Sequence, residues 1–236
     1  MYRPRTAVAV LTAGVLTLVL GLAGCGDDDE SDGGSADKPA ATEAGSDEET
    51  AGCKDVEQPQ PRDGGRQKKP KPLDRAKTYE VVLQTSCGEF TIRLDQKTSP
   101  EAAASFAALS RSGFFNDTIF HRIVPDFVIQ GGDPTVTGSG GPGYSTRDAV
   151  PRDAAYEPGV VAMAKAGNEP PGTGGSQFFV VTGSSTGLTP DYALLGEVTE
   201  GMDVVQAIGE LGDPASGGAG TPLQSVVIEK ATIREH

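Results

Sequence analysis

Beyond residue 77 no apolar run in this chain is long. Hydrophobic residues gather at 119–124, 127–130, 159–164, 177–182, 193–198 and 226–233, with Gly-rich segments between. Runs this short, bounded by turn residues, read as strands rather than helices. The stretch "TYEVVLQTSCGEFTIRLD" adds two more, joined by Ser86-Cys87-Gly88, a hairpin signal. Only two segments carry a helical pattern. Ser99-Pro100-Glu101 supplies an N-cap residue, a proline at the first helical position and an acid in the first turn. The Ala-rich helix that follows puts Phe106 and Leu109 on one face and stops at Gly113. The second helix, 202–211, turns Val204, Val205 and Ile208 inward. Many short strands and two helices predict a mostly β fold, a closed antiparallel barrel with helical caps.

The first 76 residues follow other rules. Arg3 and Arg5 precede an uncharged run, 7–24, rich in Leu, Val and Ala. A basic start, a short apolar stretch and then small residues is the layout of a secretory signal. The run is short for a membrane span, which needs about 20 apolar residues. It ends in Leu22-Ala23-Gly24-Cys25, which resembles the lipobox of bacterial lipoproteins; in that family the cysteine becomes the lipid-bearing N-terminus. The alternative is an ordinary signal peptide, or an uncleaved anchor, with an incidental cysteine. Residues 27–49 hold ten acids and one base, and residues 54–75 seven bases and four acids. Large apolar residues are nearly missing from both, so burial cannot offset the entropy of ordering. The expected organisation is a lipoprotein signal peptide at 1–24, a disordered tether at 25–76, acidic and then basic and Pro-rich, and one folded domain at 77–236. The basic cluster at 66–71 is either a solvated linker or a contact to anionic headgroups.

Several chemistries are excluded. The formal net charge of −13 argues against nucleic acid as a partner. The chain has two histidines, His121 and His236, too few for a His-rich metal site, and no nucleophile motif accompanies His121. Gly138-Ser139-Gly140-Gly141-Pro142-Gly143 matches G-x-G-x-x-G, but no strand–helix unit surrounds it, so it reads as a loop. No cofactor is expected.

What remains is a pair of anomalies. "FHRIVPDFVIQGGDP" at 120–134 places Arg122 and Gln130 among apolar strand residues. "GSQFFVV" at 175–181 places Gln177 and Phe179 on the same side of a strand. One polar group in an apolar strand is usually a satisfied core residue. Two such strands describe an apolar groove with a few hydrogen-bonding groups, which is how binding sites are built.

These segments, with "GVVAMA" before the second and "LLGEVTEGMDVV" after it, resemble the cyclophilin family of peptidyl-prolyl isomerases in order and spacing from Tyr79 to Ile233. The resemblance implies an eight-stranded closed barrel capped by two α-helices, with a proline pocket on its outer face and no cofactor. It implies that Arg122 is catalytic and that Gln130 positions it. Phe127, Val128 and Phe179 stand at the floor and wall of the pocket, Gln177 at the second of the two glutamines that hydrogen-bond the arginine or the substrate backbone, Leu188 at the far wall. Ala164 and Lys165 stand where the substrate backbone is gripped; that grip is through the main chain, which Lys165 permits in place of the usual Asn. Tyr192 replaces a frequent His, and Gly187 stands where many members carry Trp or Phe.

The implied function is cis-trans isomerisation of X-Pro bonds in secreted or envelope proteins, by a monomer held by lipid at the extracytoplasmic face of the cell membrane. Its partners would be proline-containing segments of unfolded proteins. The alternative is a peptide-binding chaperone or scaffold of the same fold with weak turnover. With Cys25 acylated, Cys53 and Cys87 are the two thiols left in an oxidising compartment. They are expected to pair as a disulfide that pins the basic half of the tether to the first hairpin; the alternative is two free cysteines.

Overall fold

The computed structural model describes residues 52–236. β1 (Tyr79–Thr85) and β2 (Gly88–Leu94) form a hairpin pairing Val81 with Ile92 and Leu83 with Phe90. All four are fully buried, while Gln84 and Arg93 face solvent. Strand parity therefore sorts this hairpin into an inner and an outer face.

α1 (Pro100–Arg111) lays Ala102, Ala103, Phe106 and Leu109 into the core. Ser99 occupies the N-cap, as the sequence predicts, but its hydroxyl makes no capping bond. The Asp148 carboxylate takes that place, accepting from the amides of Glu101 at 3.0 Å and Ala102 at 2.8 Å. The cap is thus supplied from 46 residues downstream, beyond the reach of any local motif.

β3 (Thr118–Ile119), β4 (Arg122–Val124), β5 (Val128–Gly131), a short ribbon of β6 (Thr146–Arg147) with β8 (Thr173–Gly174), β7 (Val160–Met163), β9 (Phe178–Val181), β10 (Leu194–Glu200) and β11 (Val227–Glu235) follow. Apart from the ribbon, all strands join one antiparallel sheet of nine in the order β3-β11-β1-β2-β10-β7-β9-β5-β4. This differs from the closed ladder of eight expected. The run at 119–124 is not one strand: it divides at Phe120 and His121, and its halves stand at opposite ends of the sheet. The sheet curls until its end strands are neighbours along the chain. Among the described residues no ladder joins β3 to β4.

Inside the curl a cluster of phenylalanines fills the core. Phe178 meets Phe106 edge-on at 5.1 Å and both Phe115 and Phe120 at 6.0 Å. α2 (Met202–Gly209) ends two residues before the expected 211; it buries Val205 and Ile208, while Val204 is only half-buried. A short 3-10 stretch, Pro214–Ala219, leads towards β11.

Residues 52–74, expected as part of a disordered tether, form no helix or strand but lie along the domain as a strap. Cys53 and Cys87 form a disulfide. The amide of Lys54 donates to Ser86 O at 2.8 Å, Arg62 to Pro134 O at 2.9 Å and Gln67 to Pro142 O at 2.8 Å. Composition misleads here because the strap is held by a covalent bond and backbone hydrogen bonds rather than by apolar area; only Cys53 and Leu73 pack against the core. Among the described residues no helix is long and apolar enough to cross a membrane. The signal-like run, Cys25 and the acidic stretch lie outside the described residues.

Candidate active site

Parity in β5 and β9 splits neighbouring residues between two apolar clusters. Ile129, Phe178 and Val180 join the core inside the curl of the sheet. Val128, Phe179 and Val181 turn outwards and join a second cluster with Tyr156, Ala162, Phe127, Leu188 and Tyr192. Gln130 shares the outward parity of Val128. It pairs across the ladder with Arg122 on one side and Phe179 on the other, and Phe179 pairs with Ala162 on β7. A guanidinium, a carboxamide and an aromatic ring therefore stand in one row on the outer face. The polar residues are placed where a strand of this parity meets solvent above an apolar bed.

The turn that brings β4 into β5 fixes Phe127. Asp126 takes a φ of 54°. The Phe127 amide donates to Val124 O at 3.2 Å, and its carbonyl accepts from Thr182 N at 3.0 Å. The Phe127 ring then lies 5.7 Å from the Arg122 guanidinium carbon, within cation–π range. Val128 and Phe179 are 2% and 4% exposed, so they form the floor. Arg122, Phe127, Leu188 and Tyr192 stand half-exposed around them.

A line of hydrogen bonds orders the polar side. Arg122 donates through Nε and Nη2 to Gly218 O, at 3.2 and 3.1 Å, and through Nη1 to Gln130 Oε1 at 3.4 Å. Gln130 Nε2 donates to Gln177 Oε1 at 3.2 Å, and Gln177 Nε2 to Gly140 O at 3.1 Å. Gly140 belongs to the G-x-G-x-x-G match, which is a loop. Its amide donates to Asp133 Oδ2 at 3.2 Å, and a Cβ on it would stand 2.0 Å from Asp133 Oδ1, so only glycine fits. Burial pushes the Asp133 carboxyl up, but hydrogen bonds from Thr135 and from the loop amides outweigh it and hold the pKa below its ordinary value. Burial lowers the Arg122 pKa, against an opposing contribution from Tyr192.

Nine of the ten groove residues expected from the sequence meet on this face: Arg122, Phe127, Val128, Gln130, Ala164, Gln177, Phe179, Leu188 and Tyr192. The tenth, Lys165, is expected to act through its main chain; its side chain lies against the groove's far wall, with Nζ 5.6 Å from the Tyr192 ring centre. It is 4% exposed, pairs with Asp191 at 2.8 Å and donates to Glu169 O at 3.1 Å. Sequence reasoning missed Tyr156. Its hydroxyl accepts from Tyr192 N at 3.0 Å and donates to Tyr192 O at 2.7 Å, which fixes Tyr192 edge-on to Phe179 at 5.3 Å. An isolated Tyr before Glu-Pro carries no local signal for that role. The Gly218 and Gly140 carbonyls were missed as well, because a backbone oxygen leaves no mark in a sequence.

The arrangement offers a fixed cationic donor beside an apolar floor. The described residues hold no cluster of metal ligands, and no nucleophile–base pair stands in the groove. Such a site can bind an apolar group and stabilise developing electron density next to it. Comparison with known proteins identifies the family. The family model "Cyclophilin type peptidyl-prolyl cis-trans isomerase/CLD" matches residues 80–233. Peptidyl-prolyl cis-trans isomerase CYP18-2 of Arabidopsis thaliana is 40% identical over 136 residues, 56% of this chain and 81% of that protein. Peptidyl-prolyl cis-trans isomerase-like 1 of Homo sapiens is 40% identical over 142 residues, 58% of this chain and 84% of that protein. The crystal structure of a cyclophilin type peptidyl-prolyl cis-trans isomerase from Cryptosporidium parvum, in the presence of the dipeptide Ala-Pro, superposes with a TM-score of 0.59 at 32% identity, covering 66% of this chain and 98% of that one.

Proposed function

The chain belongs to the cyclophilin-type peptidyl-prolyl cis-trans isomerases, and from that premise we propose that Arg122 carries the reaction, on X-Pro bonds of secreted or envelope proteins, with Cys25 as the lipid anchor. Resonance makes rotation about a peptide bond cost about 18–20 kcal/mol. X-Pro bonds populate both isomers and exchange over tens to hundreds of seconds unaided. Rotation breaks no bond and needs no nucleophile. Its transition state loses resonance and leaves a lone pair on the prolyl nitrogen.

A guanidinium donating to that nitrogen stabilises the twisted amide more than the planar one, which is what raises turnover. Gln130 and the Gly218 carbonyl hold the guanidinium from two sides, so its orientation is set before substrate arrives. Arginine keeps its proton throughout the range in which proteins are folded, and its charge acts more strongly above an apolar floor than in water. Phe127 and Phe179 seat the proline ring. Gln177 and the Ala164–Lys165 main chain take the flanking peptide, and Leu188 and Tyr192 close the far side.

The observation that carries this reading is the cross-strand row Arg122–Gln130–Phe179. Arg122→Ala is expected to lower kcat/KM for an X-Pro peptide at least about tenfold, equivalent to about 1.4 kcal/mol. Substrate affinity should change less. A folded Arg122→Ala protein as fast as the parent would overturn the mechanism and favour a peptide-binding chaperone. The anchor rests on Leu-Ala-Gly-Cys at the end of the apolar run. Cys25→Ser is expected to move the protein out of the membrane fraction or leave it unprocessed; a mature, membrane-bound Cys25→Ser form would refute the anchor.

A further inference from the structure

A cleft of about 670 Å³ opens beside Gln130, Gln177 and Ala164, and Asp63 and Gly65 of the strap line it from outside. These two residues lie outside 80–233, so this wall belongs to the chain and not to the segment that matches the family. The strap is seated, not draped. Arg62 N and Gln67 N donate to the Pro134 and Pro142 carbonyls at 2.9 and 2.8 Å. Arg62 Nη2 donates to Asn116 O at 2.8 Å, and its guanidinium lies 5.9 Å from the Phe114 ring centre. Gly64 is buried, and a Cβ there would stand 2.4 Å from Gly141 O. The strap backbone thus rests directly on the loop whose Gly140 carbonyl holds Gln177.

The cleft has a defined charge. Of its three charged lining residues, Lys165 is committed to Asp191 at 2.8 Å. The Asp63 and Glu169 carboxylates remain, each spending one oxygen on a neighbouring amide, Gly65 N at 2.9 Å and Ala166 N at 2.6 Å. Extended peptide advances about 3.3 Å per residue, so a side chain two residues from a bond held at Arg122 falls about 7 Å along the groove, past the glutamines. We propose that the strap completes a specificity cleft next to the proline seat, in which Asp63 favours substrates with a cationic side chain about two residues from the isomerised bond. This rests on the isomerase reading above.

The test uses the full chain and four otherwise identical peptides with Lys or Glu two residues before or after the prolyl bond. Both kcat/KM, from NMR exchange, and Kd, from calorimetry, are measured. The parent is expected to prefer Lys over Glu by about two- to fivefold on one flank, as befits a water-screened pair. Asp63→Asn, which keeps an acceptor for Gly65 N, should bring the ratio towards one. Gly64→Ala, which displaces the wall without changing charge, should lower it too. Glu57→Gln, an exposed acid elsewhere on the strap, should leave it unchanged. A parent without preference, or an unaltered ratio in both Asp63→Asn and Gly64→Ala, overturns the proposal. If no peptide is turned over but the Kd ratios shift as described, the cleft stands and the isomerase reading falls.

Discussion

Arg122 and Gln130 owe their place to arithmetic: they are cross-strand partners whose neighbours Ile123 and Ile129 are fully buried. Period-two alternation forces such residues outwards, so the polar side of the groove was legible in sequence. Tyr156 was not, because its partner Tyr192 lies 36 residues on and nothing local links them. His121, next to the arginine, carries a separate consequence. Burial lowers its pKa, Asp133 opposes that, and Arg122 adds to the lowering. Its Nδ1 is buried without a partner, and Arg122 and Asp133 are the charged groups that act on it. The native state therefore binds its proton less readily than the unfolded chain does. The stability it contributes is present above the unfolded value near 6.5 and is lost as pH falls towards the folded value. The urea midpoint of the parent should decline between pH 7 and the acid side of 6, and His121→Asn should flatten that decline. A parent midpoint that is level across this interval would show that His121 titrates normally.

At the scale of elements, α1 shows how a correct local rule can name the wrong atom. Ser99 sits at the N-cap, yet its hydroxyl is buried with no partner, while Asp148 accepts the first-turn amides. An anion there also meets the positive end of the helix dipole. Asp148→Ala should therefore cost about 1–2 kcal/mol of stability in urea unfolding, whereas Ser99→Ala should be close to neutral because it removes a hydroxyl that bonds to nothing. The reverse ranking would restore the local cap. The division of 119–124 into β3 and β4 has a similar origin. Hydrophobicity reads as continuous across Phe120, but that ring turns into the core among Phe90 and Phe178, and the chain changes sheet edge there.

For the whole molecule, the strap decides how much of the chain is folded. Its loop of 34 residues is closed by Cys53–Cys87, a constraint worth up to about 3–4 kcal/mol in the chain-entropy model. Replacing both cysteines by serine should expose the bonds after Arg62, Arg66 and Lys68 to trypsin while the sheet stays resistant, since few apolar contacts hold the strap. Limited proteolysis that leaves these sites protected would show that backbone hydrogen bonds suffice. By itself the sequence determined the β class, the two helices, the outward parity of Arg122, Gln130 and Phe179, and the family motifs, because each of these is written in spacing over a few residues. Only the tertiary structure decided that the sheet has nine strands with β3 and β4 at its ends, that Asp148 caps α1, that Lys165 pairs with Asp191, and that a polar strap walls the site. Those outcomes depend on partners brought together by the curling of the sheet or by a disulfide, and on backbone carbonyls and amides that every residue carries alike. No local pattern of side chains can encode them.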